Sequence, residues 1–325
     1  MDQTHTLRPA TAAAQAGQPG DSPAAPVTYT LVTEPDQGLS PIYNLIASAT
    51  QSIDMTMYEL TDTTVTSMLA TAAANGIAVR VILDQNYEMA HNTTAYNYLS
   101  ANNVSVNWAN PVYACTHQKT ITVDQATSAI MTLNLVTEDY PTSRDFAVIT
   151  NDPADVAAIE TTFNADFASA AITPPTGDNL VWSPTNSRSA LLALINGATT
   201  SLLIAQEEME DTGIENALEA ALARGVSLTL IQENLNGKYD SILTALKSDG
   251  ANIAVYTTEY GYYIHAKVIL ADYGAPNAVL FIGSENFSTD SLNDNRELGL
   301  IFNDPTCMAA IQAALTADYN GGTRF

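Results

Sequence analysis

The chain has 325 residues, of which 46% are hydrophobic, enough to bury a substantial core as one large domain or two ordinary ones. Thirty-five acids against eleven lysines and arginines give a formal net charge of -24, and no basic run occurs anywhere. An extended phosphate-tracking surface is therefore disfavoured, because nonspecific nucleic-acid affinity comes mainly from cations that release counterions.

Near its start the chain reads "TLRPATAAAQAGQPGDSPAAPVT", rich in Ala, Pro, Gly and Gln. Such a composition buries too little apolar surface to offset the entropy of ordering, so residues 1–27 are expected to form a flexible tail. No segment at this start has the basic-then-apolar order of a signal peptide, and no apolar run reaches the length of a membrane span. With few lysines, this start fits a secreted or periplasmic protein whose leader was removed; a cytoplasmic protein with a loose start fits it too. His5 lies in this tail.

From there the sequence repeats itself. "SIDMTMYELTD" and "MLATAAANGIAVRVILDQN" in the first half answer "SLLIAQEEMED" and "ALEAALARGVSLTLIQEN" in the second, with Gly76 and Gly225 149 positions apart. Each pair reads as strand, Ala-rich helix, Gly stop and apolar strand, a βαβ unit with parallel strands covered by helices. Tyr58 and Glu207 stand at equivalent points of the two units. Glu207 either shapes a pocket or is an ordinary strand-end acid. His91, in the polar "NYEMAHNTTAY", is expected to be solvated in a loop.

Next, "HQKTITVD" places His117, Lys119 and Asp124 at the spacing of His265, Lys267 and Asp272 in "HAKVILAD". Both motifs run into apolar stretches and read as strands, on which alternate side chains share a face. His and Lys would then point the same way, an arrangement suited to an anion. Downstream, Thr132 and Asn134 match Ser284 and Asn286, neutral donors able to reach phosphate oxygens. Packed about a pseudo-twofold axis, the copies would form one site, so a monomer suffices. One such motif arises readily by chance; two in register point to a shared site.

Around the motifs, Tyr113, Tyr260, Tyr262 and Tyr263 either line a pocket or belong to the core. "SRDFAVITNDP" and "NRELGLIFNDP" then set Arg144 and Asp145 against Arg296 and Glu297, which read first as structural ion pairs and second as support for the site. An Ala-rich amphipathic run follows each. "ITPPTGDN", residues 172–179, reads as a linker, so the halves are 28–171 and 180–325. Cys115 and Cys307 form either a disulfide or two buried thiols. A metal needs three or four converging ligands, and a lysine among them repels it, so neither metal nor cofactor is expected.

With these residues in view, the chain resembles the phospholipase D superfamily, whose signature is H-x-K-x4-D followed by G-S-x-N. The second copy matches in full with "HAKVILAD" and "GSEN"; the first has "MTLN", Thr132 replacing serine and Met131 replacing glycine. The resemblance covers roughly residues 38–320. It implies an α/β fold of two pseudo-twofold halves, each a mixed, mostly parallel sheet flanked by helices. It also implies metal-independent phosphodiester hydrolysis or phosphatidyl transfer through a phosphohistidine, on phospholipid or a related phosphodiester. His117 as nucleophile and His265 as acid follow family habit, and the two roles are interchangeable at this level. Asp124 and Asp272 either orient an imidazole or cap a strand end. A nuclease of the same mechanism is the alternative, and a non-catalytic binding protein on the same fold is a third.

Overall fold

The structure, a computed structural model, describes residues 26–258 and 262–325. The expected tail lies, but for its last two residues, outside the described residues, as do His5 and Tyr260.

Each half is built on the βαβ unit its sequence announces. In the first, strand Ser52–Met57 leads to helix Thr63–Ala74, whose N-cap Asp62 accepts a hydrogen bond from the Thr64 amide at 2.7 Å. Gly76, at φ +86°, ends the helix where a side chain would be strained, and strand Ala78–Leu83 returns parallel to the first. The second half repeats this with strand Ser201–Gln206, helix Thr212–Ala223 capped by Asp211, Gly225 at φ +88° and strand Ser227–Glu233. A third parallel strand, Ser105–Trp108 or Asn252–Tyr256, completes each set.

The sheets are mixed, and along each sheet the parallel run ends with these three strands. Motif strands Thr120–Val123 and Lys267–Ala271 join the central strands antiparallel, and three further antiparallel pairings extend each sheet to its edge. The expected mostly parallel sheet is thus corrected. The link from Thr120–Val123 to Thr127–Met131 is three residues long, and a parallel return would need a crossover of a dozen or more.

The two sheets meet through Thr127–Met131 and Ser143–Thr150 of the first half and Val279–Gly283 and Glu297–Phe302 of the second. Ile130, Phe146 and Val148 bury against Trp182, Val268 and Ile282 there, each worth about 1.5–3 kcal/mol when removed from water. The halves also exchange backbone. Thr116, just before the first motif, bridges to Arg296, and strand Tyr263–Ile264, just before the second, pairs parallel with Ser143–Arg144. The segment 172–179 is tied down by Asp155, which accepts from the Asp178 and Asn179 amides at 2.8 and 3.0 Å. Among the described residues, no helix is long and apolar enough to cross a membrane.

Candidate active site

The reciprocal exchange carries each histidine to the other half. The amides of His117 and Gln118 donate to the Arg296 carbonyl at 3.0 and 2.9 Å, and the Tyr263 amide donates to Thr142 at 2.8 Å. Both histidines lie just before the motif strands rather than within them. Strand alternation then turns 144 and 145, and likewise 296 and 297, to opposite sides. Arg144 goes to Asp318 at 2.8 Å and to the Glu34 carbonyl, and Arg296 goes to Asp166 and stacks on Tyr113 at 4.3 Å. These arginines are structural, but their partners are not the neighbouring acids.

Those acids face the histidines. His117 Nδ1 lies 2.9 Å from Glu297 Oε2, and His265 Nδ1 lies 2.8 Å from Asp145 Oδ1. Each ring therefore takes its orienting carboxylate from the opposite half, with Nδ1–H as donor and Nε2 turned away from it. Glu297 is itself fixed through Oε1 by Ser291 Oγ at 2.7 Å and Asn295 Nδ2 at 3.0 Å. The doubled "SRDF" and "NREL" carried this signal, and reading each acid with its adjacent arginine hid it.

Asp124 and Asp272, candidates for that orienting role, are elsewhere. Each sits in a tight turn at φ +54° and +53° and clamps the start of the central strand. Asp124 accepts from the Gln51 and Ser52 amides at 2.7 and 2.9 Å, and Asp272 accepts from Thr200 and Ser201 at 2.7 and 3.0 Å. Burial works against their charge, yet the amides, led by Ser52, hold Asp124 down at about 2, and those led by Ser201 hold Asp272 well below the usual carboxylate range. They are strand-end caps.

The four predicted phosphate donors separate into two kinds. Thr132 and Ser284 are fully buried and face the sheet. Thr132 Oγ1 donates to Asp145 and accepts from the Phe146 amide at 2.9 Å, and Ser284 Oγ accepts from the Leu298 amide at 3.2 Å. They brace the carboxylate-bearing strands and do not reach the cleft. Asn286 does reach it, its Nδ2 lying 3.1 Å from Glu207 Oε2, and Asn134 keeps a buried side-chain oxygen without a hydrogen-bond partner among the described residues.

The lysines differ. Lys119 Nζ donates to the His117 carbonyl at 2.7 Å and lies 4.9 Å from the Tyr58 ring centroid. Lys267 Nζ donates to the His265 carbonyl and, at 2.7 Å, to Glu207 Oε2. Burial, then the nearby charge of Lys267, pushes Lys119 down to about 7. Burial and then Lys119 also lower His117 below its ordinary value, favouring the neutral ring. Burial alone would raise Glu207, but Lys267 and then His265 outweigh it and keep the carboxylate ionised.

A cleft of about 310 Å³ opens beside the site, lined by Tyr58, Cys115, His117, Glu208, Asn286 and Ser291 among others. On the other side of Glu207, a cavity of about 400 Å³ is lined by Glu233, Tyr239 and Tyr263. Of the flagged tyrosines, Tyr263 faces this cavity, whereas Tyr262 and Tyr113 pack on arginines. Cys115 and Cys307 are two free, buried thiols. His91 lies on helix Met89–Ala101, not in a loop, exposed beside Glu88 at 2.6 Å.

Two histidine–lysine motifs carried in register by a doubled α/β frame are the mark of the phospholipase D superfamily. Within it, the chain belongs to the family described as cardiolipin synthase, PLD-like domain, whose model matches residues 42–167 and 191–319, one stretch in each half. Cardiolipin synthase A of Pseudomonas syringae pv. syringae (strain B728a) is 32% identical over 114 residues, covering 34% of this chain and 23% of that protein. Among solved structures, polyphosphate kinase from Porphyromonas gingivalis is similar at TM-score 0.69 and 16% identity, over 90% of this chain and 50% of the other. Phosphatidylserine synthase from Haemophilus influenzae Rd KW20 is similar at TM-score 0.68 and 12% identity, over 91% and 87%. At these identities the likeness is one of fold.

Proposed function

We propose that the chain cleaves or transfers a phosphodiester of phospholipid type through a phosphohistidine. The observation that carries this reading is the cross-half pairing of both imidazoles through Nδ1, which leaves two Nε2 atoms for chemistry. The Nε2 lone pair of neutral His117 attacks phosphorus as the phosphorus–oxygen bond to the leaving group breaks, and His265 gives its Nε2 proton to that oxygen. Glu297 accepts the Nδ1–H of the ring that becomes phosphorylated. Water or an alcohol, deprotonated by His265, then attacks phosphorus and breaks the bond to His117. Lys119 and Lys267 offset charge on the nonbridging oxygens. Lowering of His117 by burial and Lys119 supports its assignment as nucleophile.

A phospholipid substrate is supported by the matched family and by the cardiolipin synthase relative. The acidic residues at the cleft, Glu208, Glu210 and Asp290, argue against a polyanionic strand. The test is release of headgroup, or its exchange onto an added alcohol, from mixed phospholipid vesicles in EDTA, run beside digestion of single-stranded DNA. Headgroup release or exchange with intact DNA is expected, with label trapped on histidine after acid-free denaturation. DNA loss alone would replace this reading with a nuclease.

A further inference from the structure

Where the first half places Tyr58 beside its lysine, the second places Glu207, and this break in the repeat falls inside the anion site. One carboxylate oxygen, Oε2, lies 2.7 Å from Lys267 Nζ, 3.1 Å from Asn286 Nδ2 and 3.7 Å from His265 Nε2. These are the three groups the second half would offer a substrate phosphate. The other oxygen, Oε1, accepts from Tyr263 Oη at 2.9 Å. Glu207 thus holds, with its own charge, the position a nonbridging phosphate oxygen would take, and it is tethered there from behind.

We propose that Glu207 is an internal anion that sets affinity and specificity at this site: a phosphate engages Lys267, Asn286 and His265 only by displacing its carboxylate. The inference rests on the reading of this cleft as a phosphate site. Two consequences follow from charge alone. Every ligand competes with a carboxylate already bound to its lysine, so ground-state affinity is low. A phosphomonoester or inorganic phosphate, with close to two charges at neutral pH, is repelled more strongly than a phosphodiester with one. The site therefore favours a monoanionic diester over the doubly charged monoester that hydrolysis leaves behind. Lys119, whose side chain has no carboxylate partner among the described residues, would make the first contact with the incoming phosphate.

The experiment is calorimetric titration of the whole protein with inorganic phosphate, comparing the parent with Glu207→Gln and with Glu207→Tyr, which copies the first half. Both variants are expected to bind at least tenfold more tightly than the parent, and adding Lys267→Met to Glu207→Gln should abolish the gain. Unchanged or weaker binding in both variants would overturn the proposal, because Glu207 would then only hold Lys267 in place. A gain that survives Lys267→Met would overturn it as well, by putting the ligand elsewhere. The readout needs no turnover: a gain in phosphate affinity without activity on any diester would retire the proposed reaction alone, and turnover without a gain would retire the role of Glu207 alone.

Discussion

At the scale of single residues, two buried groups set opposite limits on activity. In the proposed reaction His117 must be neutral to attack, and burial and Lys119 hold it below its ordinary value, so the acidic limb of kcat/KM is expected below pH 6.5. Lys119 must be charged to bind phosphate, and its pKa of about 7 makes kcat/KM fall as pH rises through that value in the free enzyme. A pH profile should therefore peak between these limbs, and Lys119→Arg should move the alkaline limb upward, since arginine stays protonated. An unchanged alkaline limb in that variant would place the titration on another group. The histidines and lysines were legible because each pair is doubled in register. The orienting Asp145 and Glu297 were visible as a doublet too, but which side chain a carboxylate meets across a domain interface is not written in local spacing. Glu207 was legible only as a mismatch with Tyr58.

At the scale of elements, the aspartates of the two motifs secure the frame. Asp124→Asn should leave kcat within a few-fold of the parent while lowering stability by about 1 kcal/mol at this solvent-facing turn, read as a shift in denaturant midpoint. The pH dependence of stability checks the same point. The pKa of Asp124 falls from 3.8 when unfolded to about 2 when folded, so its contribution is complete above about 4 and is lost as pH falls toward 2. Asp124→Asn should flatten acid unfolding in that window; a steep loss of turnover instead would return Asp124 to the chemistry. The βαβ units were legible from their Ala-rich helices, N-cap acids and Gly stops. The antiparallel motif hairpin was not, because Asp124 and Gln125 both adopt positive φ, at +54° and +53°, without the Asn-Gly pair that usually announces such a turn.

At the scale of the whole molecule, the proposed catalysis would depend on the contact between halves, through which each histidine meets its carboxylate. Glu297→Gln, in the second half, should lower kcat by up to about 10⁴-fold through the tautomer of His117 in the first, as removing the orienting carboxylate does in other histidine sites. Folding should be retained, as judged by the melting temperature, and activity near the parent's would show that the ring is oriented by other means. The duplication was plain in the sequence, but not the exchange of Thr116 and Tyr263–Ile264 across the boundary, since backbone pairing between distant segments leaves no periodic trace. That exchange also constrains how a duplicated gene can drift. A change at 145 is felt by the histidine of the later copy and a change at 297 by that of the earlier one, so neither copy can decay or specialise alone. The present inequality, aspartate behind one ring and glutamate behind the other, is the kind of single-step difference by which two inherited equals can become an attacker and a proton donor.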